Sequence, residues 1–369
     1  MTDEEKNGLP ENRLLSLDFF RGLTMFLLIA EGTHLYSLLT DPPFAGTLVG
    51  SFFTQFHHHP WNGLRFWDLI QPFFMFIVGV AMPFSFGKRW ARGDSWRQTF
   101  KHACQRSVVL LILGWALYCI GPGKITFELW NVLAQLSVTY FIAFLFMRKP
   151  IKTQLIFTFV LLFISEMLYR LWPLAGFNQP FVPDHNFGSW FDMLVMGKLS
   201  GGHWVAINAI PTTAHTMWGV LSGQILCSDR SEKQKIKILV IAGLIGITVG
   251  YALDPLTPII KRICTSSFVI VSGGWCLVAL AFSYWLIEVH QIHTVPKFFA
   301  FVGLNPIFIY LFMHTGGANW LHQIVKPFVN GIFSWSGDTM RQVANALVVL
   351  LGMWYICYWL YKKKIFIKI

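Results

Sequence analysis

Long apolar runs, separated by short polar and basic stretches, recur along the whole chain. Each run approaches the roughly 20 residues that an α-helix needs to cross the hydrocarbon core of a bilayer. A helix pairs its own backbone amides, which have no water to bind in that environment, so helices are the elements this pattern predicts. We expect ten membrane-spanning helices, at Leu17–Tyr36, Leu64–Phe86, Ala103–Gly121, Leu129–Met147, Gln154–Leu174, Ala206–Cys227, Lys237–Leu253, Ser267–Ile287, Pro296–Met313 and Val343–Tyr361. The predicted fold class is all-α: a polytopic membrane protein with about ten transmembrane helices in one bundle, and with residues 1–369 as a single transmembrane domain.

Composition strengthens this interpretation. Hydrophobic residues make up 54% of the 369 residues, only 13% are charged, and the mean hydropathy is +0.53. Soluble domains carry about 25% charged residues, so this chain lacks the charge to cover a water-facing surface. The composition therefore excludes a cytosolic globular enzyme, a disordered protein and a nucleic-acid-binding protein, and it makes the lipid bilayer the expected partner.

The distribution of Lys and Arg predicts the orientation. With the N-terminus inside, 21 of the 29 basic residues fall in inner segments, as the positive-inside rule requires. Both termini are therefore expected to be cytoplasmic, and the net charge of +11 needs no nucleic acid to explain it. The larger loops, Thr40–Gly63, Trp172–Val205 and Gly316–Asp338, fall on the outer face, where we expect the functional site. No internal repeat is evident, which disfavours an inverted-repeat transporter.

No metal site is expected. The six cysteines occur singly, without a CxxC pair. His57, His58 and His59 are consecutive, and adjacent side chains in a loop diverge, so a three-histidine zinc site is disfavoured. A single catalytic histidine within the triplet is the better hypothesis, because a histidine near neutral pKa can take a proton from a nucleophile.

Ionisable side chains inside predicted spans are costly and are therefore candidates for function. Asp18 and Arg21 share a helix face at i, i+3 spacing, either as a structural ion pair or as an inner anion site where Arg21 meets phosphate. For the other candidates the alternatives are satisfied helix-end groups and ordinary interhelical hydrogen bonds. These candidates are Glu31, His34, Asp68, Asn208, His215, Asn305 and His314.

Three sequence blocks resemble one family. They are LLSLDFFRG (Leu14–Gly22), HHPWNGLRFWDLIQPFFMFIVG (His58–Gly79) and LAQLSVTYF (Leu133–Phe141), of which the second is the most specific. The chain resembles the transmembrane heparan-α-glucosaminide N-acetyltransferase family, including its short bacterial members. The resemblance extends weakly through Asn208–Gly223 and later segments, and so covers most of the chain.

The resemblance implies a membrane-embedded acyltransferase domain. Acetyl-CoA, the cosubstrate, would bind from the cytoplasmic side, and the amine of a terminal glucosamine-type sugar would accept the acetyl group on the outer, periplasmic or lumenal, face. The family's catalytic histidine stands at His58, with Asp68 to orient it. Asn62, Asn208 or a backbone N–H would stabilise the oxyanion. Direct transfer is preferred over an acetyl-histidine intermediate.

The remaining expectations complete the site. For acetyl-CoA we expect contacts from Arg21, Asp18, Lys88 and Arg89. For the sugar we expect contacts from Glu31, His34, Trp61, Asn208, His215, Asn305 and His314. The resemblance also suggests a homodimer, and a short member of this family is expected in a bacterial inner membrane.

Three alternatives from other functional classes stay open at this point. A transporter of an amino sugar or an anion would use the same buried polar residues as its binding site. An O-acetyltransferase of a cell-envelope polysaccharide would accept a hydroxyl in place of the amine. Haem-based electron transfer would use His34, His215 and His314 as ligands.

Overall fold

A computed structural model describes residues 14–367, and that range is helical, with no β-strand. Lys6, Arg13 and Lys368, which enter the charge count above, lie outside the described residues. The fifteen α-helices are α1 Leu15–Gly32, α2 Leu35–Leu38, α3 Leu48–Phe53, α4 Ile70–Ala91, α5 Trp96–Ile120, α6 Val132–Phe146, α7 Ile151–Leu171, α8 Phe187–Met196, α9 Ala209–Leu226, α10 Glu232–Leu253, α11 Ser266–Tyr284, α12 Thr294–Gly303, α13 Pro306–His314, α14 Gly317–Ile332 and α15 Asp338–Lys362. Short 3₁₀ turns at Phe66–Leu69 and Ala206–Asn208 lead into α4 and α9.

Several helices begin where side chains cap their free amides. The Asn131 side chain accepts from the backbone N–H groups of Leu133 and Ala134 at 3.0 Å each, which starts α6. Ser95 and Ser231 form reciprocal capping boxes with the glutamine three residues later, which start α5 and α10. Such caps satisfy amides that the helix itself leaves unpaired.

Each predicted span overlaps helical residues, but Pro296–Met313 falls on two helices, α12 and α13, and fewer helices have the length and apolarity of a membrane span. In the described range six do so, and the α12–α13 pair, bent by 63°, makes a seventh if it is one span. The six are Phe66–Ala91, Trp96–Ile120, Ile151–Leu171, Glu232–Leu253, Ser266–Val289 and Asp338–Lys362. Helix α6 has 15 residues, or about 22 Å at 1.5 Å per residue, and α1 carries Asp18, Arg21 and Glu31. The number of ten spans stays a prediction.

Helix α9 forms the interior of the assembly. It packs against α4 along most of its length and also contacts α6, α7 and α11. This enclosure lets it carry hydroxyls, which bond carbonyls one turn back: Thr212 Oγ1 donates to Asn208 O at 2.6 Å and Thr213 Oγ1 to Ala209 O at 2.8 Å. By contrast, α5 and α10 are mostly exposed apolar surface, as expected of helices that face lipid.

The two ends of the bundle differ. The carboxyl ends of α1, α5 and α13 meet the amino ends of α4 and α6, together with the segments that precede α9 and α11, at what we call the His58 end. Near the opposite end the Ser16 amide donates to Glu288 Oε1 at 3.0 Å, and Asn305 Nδ2 donates to Ile365 O at 3.0 Å. Both ends of the described chain therefore lie away from the His58 end.

Close backbone contact between α4 and α9 depends on two glycines. A Cβ on Gly79 would collide with the Thr216 carbonyl oxygen, and a Cβ on Gly219 with the Phe76 carbonyl oxygen. Small residues at such crossings let helices in a membrane approach closely, and packing replaces the hydrophobic driving force.

We therefore predict that Gly79→Ala lowers thermal stability in detergent, because a backbone oxygen cannot move aside as a flexible side chain would. The overpacking cost is about 1–3 kcal/mol or more. Gly87→Ala on the same helix is the matched control, since its Cβ meets nothing within 4 Å. A melting curve followed by size-exclusion chromatography should show a lower Tm for Gly79→Ala and an unchanged or higher Tm for Gly87→Ala.

Candidate active site

The loop that carries His58 is fixed by Asp68, which lies in the 3₁₀ turn before α4 and is 1% exposed. Its Oδ2 accepts from the backbone N–H groups of Arg65 at 2.9 Å and His59 at 3.2 Å. Its Oδ1 lies 2.9 Å from His58 Nδ1. One carboxylate therefore sets both the path of the loop and the position of the imidazole.

A second segment closes over this loop. Asn62 forms an isolated antiparallel bridge with Ile260, and the Gly63 amide donates to Ile259 O at 2.8 Å. The bridge brings Lys261, which is 6% exposed, next to the histidine. Its Nζ lies 3.0 Å from His58 Nδ1 and 3.8 Å from Asp68 Oδ1.

The two contacts of His58 Nδ1 are mutually exclusive. A ring nitrogen either carries a proton and donates, or has a lone pair and accepts. When Nδ1–H donates to Asp68, Nε2 holds the lone pair and is the base. When Lys261 donates to Nδ1, Nε2 carries the proton and is a donor. The ring can therefore take either proton arrangement without moving.

The neutral imidazole is strongly favoured. Burial lowers the pKa of His58 to about 4, with a further decrease from the charge of Lys261, against the opposing effect of Asp68. Burial likewise lowers the pKa of Lys261 to about 8, although Asp68 and other acidic neighbours partly counter it. At neutral pH His58 is therefore uncharged, and one of its ring nitrogens holds a lone pair.

These groups line a cavity of about 290 Å³ at the His58 end. Its aromatic walls are Trp67, Phe74, Tyr118, Trp130, Trp204 and Tyr310, and its polar groups are Glu31, His58, Gln71, Asn131, Lys261 and His314. Trp204 meets the His58 ring edge-on, with 5.4 Å between centroids, and Lys261 Nζ lies 5.4 Å from the same indole. Glu31 Oε1 accepts from Trp67 Nε1 at 3.1 Å. A small cavity with apolar walls and few polar groups suits a single ring-sized substrate group.

The structure brings together four of the residues predicted for catalysis and sugar binding: His58, Asp68, Glu31 and His314. His34 lines a different cavity.

The other predicted residues line neither cavity. Each makes a local contact, although Asn208 Oδ1 and His215 Nδ1 are buried without a hydrogen-bond partner among the described residues. Trp61 Nε1 donates to Phe181 O at 2.8 Å, and Asn208 Nδ2 to Arg262 O at 2.8 Å. His215 Nε2 lies 2.9 Å from Ser272 Oγ, deep in the helix packing. Asn62 bridges strand-like segments, and Asn305 fastens the end of the described chain.

The residues predicted for acetyl-CoA lie toward the opposite end. Arg21 and Asp18 form an ion pair at 3.2 Å, and the guanidinium also reaches Gly303 O at 3.5 Å. Arg89, next to Lys88, contacts Asp94 at 3.4 Å and His102 at 3.3 Å. Two further arginines lie over aromatic rings in the same region, Arg106 over Tyr140 and Arg148 over Trp90.

Sequence reasoning missed Lys261, Trp204, Gln71 and Asn131. Lys261 is one of the basic residues outside the inner segments, and the adjacent pair Lys261 and Arg262 within the otherwise apolar stretch Pro258–Ile263 was a usable signal. Within residues 14–367 no three His, Cys, Asp or Glu side chains cluster so as to hold a metal ion.

Comparison with known proteins gives one consistent result. The chain is similar to heparan-alpha-glucosaminide N-acetyltransferase of Mus musculus (23% identity over 427 residues, 97% of this chain) and of Homo sapiens (23% over 432 residues, 98% of this chain). It spans 61% of the length of each of these relatives. No protein-family model matches the chain. Similarity over nearly the whole chain supports a distant relationship with these N-acetyltransferases.

We predict that Lys261→Met raises the pKa of His58 from about 4 part of the way toward the ordinary value of about 6.5. Removal of the cation relieves its repulsion of the imidazolium, whereas burial, the larger cause, persists. NMR of histidine-labelled protein in detergent, with His58→Gln to assign the resonance, measures the shift. Lys198→Met is the control, because Lys198 pairs with Glu128 at 2.6 Å outside the cavity. An unchanged or lower His58 pKa in Lys261→Met would contradict the assignment.

Proposed function

We propose that this chain is a membrane-embedded acetyltransferase that transfers an acetyl group from acetyl-CoA to the amine of a glucosamine-type sugar. The observation that carries the proposal is the His58–Asp68 pair, 2.9 Å apart, with His58 on the wall of a small cavity. The similarity to N-acetyltransferases over nearly the whole chain supports the reaction class.

The reaction needs a free amine and a proton acceptor. The amine nitrogen attacks the thioester carbonyl, His58 Nε2 takes the amine proton, and Asp68 stabilises the imidazolium that forms. The C–S bond then breaks, the thiolate of CoA leaves, and His58 returns its proton to the leaving sulfur or to solvent. The Lys261 ammonium disfavours a second cation nearby, so the acceptor enters as the neutral amine.

The oxyanion needs a donor that faces the cavity. Asn62 and Asn208, the donors suggested by the sequence, lie outside it. Lys261 lines the cavity and has three N–H donors, so we assign it the role of stabilising the tetrahedral oxyanion. This role also accounts for the position of Lys261 next to His58.

Acetyl-CoA reaches the site from the opposite end. Arg21 precedes Glu31 by ten residues on α1, which is about 15 Å along the helix axis. An extended pantetheine arm can cover such a distance, with its phosphates near Arg21 and near Lys88 and Arg89. Guanidinium groups bind phosphate oxygens in a bidentate manner, which suits this end of the ligand.

In this proposal residues 1–369 form one acyltransferase domain in a bacterial inner membrane. The His58 end faces outward, the described termini are cytoplasmic, and the protein is a homodimer. The sugar then arrives from the outer face and acetyl-CoA from the cytoplasm.

The direct test is thiol release from acetyl-CoA by the purified protein in detergent. We expect release that depends on glucosamine and an N-acetylated product by mass spectrometry. Glucose is the matched control acceptor, because a hydroxyl replaces the amine. Release with glucose equal to that with glucosamine would indicate O-acetylation, and solute uptake into proteoliposomes without thiol release would indicate a transporter.

We predict that His58→Ala reduces acetyl transfer by at least about 10²-fold, the usual contribution of a general base. His57→Ala and His59→Ala should stay within a few-fold, since neither side chain lines the cavity; His57 Nε2 instead contacts Thr40 Oγ1 at 3.2 Å. Activity of the His58 variant should recover in part at high pH, where more of the acceptor is free amine. Equal losses at all three positions would indicate a structural role for the loop.

The orientation is tested by cysteine labelling in a Cys227→Ser background. Asn178 lies at the His58 end and Asp229 at the other, and both are exposed. We expect an impermeant thiol reagent to label Asn178→Cys in intact cells and to label Asp229→Cys only after the membrane is opened. The reverse pattern would invert the proposed direction of transfer.

A further inference from the structure

Asp192 is a buried acidic residue for which the reaction described above has no use. It lies on α8, a helix of ten residues, which at about 15 Å is too short to cross a bilayer. The residue is fully buried. A buried carboxylate is very unfavourable without partners, so the contacts of Asp192 indicate its role.

Each oxygen of this carboxylate accepts a hydrogen bond from a different segment of the chain. Asp192 Oδ2 accepts from Trp130 Nε1 at 2.6 Å, and Oδ1 accepts from the Ala206 amide at 2.9 Å. Trp130 directly precedes Asn131, the residue that caps α6, and Ala206 begins the turn that leads into α9. One side chain on α8 therefore holds the starts of two other helices.

The first of these segments supplies the Trp130 indole to the wall of the His58 cavity. The ring is 9% exposed, and it meets Tyr118, another residue of the wall, edge-on with 6.0 Å between centroids. An indole has a single N–H donor and no acceptor, so the bond to Asp192 uses the whole hydrogen-bonding capacity of the side chain. That bond fixes the direction in which the ring points.

The second segment supplies Trp204 to the same wall, two residues before Ala206. The main chain is fastened on both sides of this indole: Arg262 Nη1 donates to Gly202 O, and the Ala206 amide donates to Asp192. The Trp204 ring is the one that meets the imidazole of His58 edge-on. The position of this ring beside the proposed base therefore depends on the same carboxylate.

Only an ionised carboxylate can accept both bonds. Two N–H groups need two acceptor oxygens, whereas a carboxamide offers one oxygen and an NH₂ group that would face a second N–H. Burial raises the pKa of Asp192 to about 6, against the opposing effect of the bonds from Ala206 and Trp130, and no basic side chain of the described range pairs with it. Above that pH both oxygens accept, and below it one of them carries a proton.

We propose that Asp192 is a positioning residue for acetyl transfer, which holds Trp130 and Trp204 in place as the walls that orient the acceptor toward His58. This inference rests on the proposed function. If either indole turns away, the cavity widens and the amine is no longer held in line with Nε2, and small misplacements of this kind are costly in rate. The loss should fall on the acceptor, because the phosphates of CoA bind at the opposite end of the bundle.

The kinetic test is Asp192→Asn in two backgrounds. In the parent protein we expect kcat/KM for glucosamine to fall by at least about tenfold, with the KM for acetyl-CoA within about twofold of its original value. In a Trp130→Phe background the same change should cost no more than about twofold, because the ring has no N–H to face the new NH₂ group and the remaining oxygen still accepts from Ala206. Glu128→Gln is the matched control, since Glu128 bonds Lys198 at 2.6 Å and does not line the cavity.

This comparison separates positioning from general damage to the fold. A loss of the same size in both backgrounds would show that Asp192 does not act through Trp130, and an equal rise in the KM of both substrates would show a non-specific effect. Either result would overturn the inference, as would full activity of Asp192→Asn in the parent protein.

NMR of protein labelled with ¹⁵N-tryptophan gives a readout that needs no activity. We expect the indole N–H resonances of Trp130 and Trp204, assigned with the two Trp→Phe variants, to move with a shared midpoint near pH 6, and we expect Asp192→Asn to remove this midpoint from both. Imidazoles titrate in the same range, so the measurement uses a His203→Gln background. Tyr169 on α7, which interacts electrostatically with Asp192, is a phenol and does not titrate there.

The NMR result distinguishes this inference from the proposed function. Resonances that follow Asp192, in a protein that acetylates no amino sugar, would support the control of both walls by this residue and reject the reaction. Resonances that do not follow Asp192, in a protein that acetylates glucosamine, would overturn the inference and leave the proposed function standing.

Discussion

Asp68 receives two backbone amides from the loop before it and faces the imidazole of His58 with its other oxygen, and it is 1% exposed. A buried carboxylate without partners is very unfavourable, so the loop can adopt no other path without leaving those oxygens unsatisfied. The segment that carries Lys261 then fastens to the same loop through the Asn62–Ile260 bridge. The positions of His58, of Lys261 and of the cavity wall that they form therefore all depend on the carboxylate of Asp68.

Several other polar groups inside the bundle find partners in a different way, although Asn208 Oδ1 and His215 Nδ1 are buried without a hydrogen-bond partner among the described residues. Hydroxyls of α9 return to carbonyls of their own helix, and the amide of Asn208 bonds the Arg262 carbonyl. His215 bonds a serine and a carbonyl of α11. Burial of a polar residue in a membrane bundle is therefore not by itself a sign of function, because helices supply carbonyls that can accept from a side chain without disturbing the fold.

The length of the apolar runs, which is local information, was sufficient to locate the helices. The His58–Asp68 pair was expected from the resemblance of the His58–Gly79 block to a known family. The two side chains lie 2.9 Å apart in the structure, and their catalytic roles stay a prediction. Lys261 could not be placed in that way, because its contact with His58 joins residues 203 apart. The same holds for Trp204 and for the cavity that His34 lines, whose walls come from three separate segments. The number of membrane-spanning helices was harder to predict for another reason. Helices α1, α6 and α9 are short or polar, and such helices are stable in a membrane only where neighbouring helices enclose them. The sequence does not reveal that enclosure.

The charges around the base also restrict what the site can accept. Asp68 and Lys261 both contact Nδ1 of the neutral imidazole and lie 3.8 Å from each other, so their opposite charges balance. An ammonium acceptor would add an unbalanced cation next to Lys261, whereas a free amine would not. As negative charge develops on the carbonyl oxygen, the ammonium of Lys261 gains an attraction, and as positive charge develops on His58, Asp68 gains one. Each ion of the cluster therefore stabilises one of the two charges that develop in the proposed transition state: Lys261 stabilises the oxyanion, and Asp68 stabilises the imidazolium. Catalysis requires that these two attractions outweigh the repulsion between Lys261 and the imidazolium, whose Nδ1 lies 3.0 Å from Lys261 Nζ.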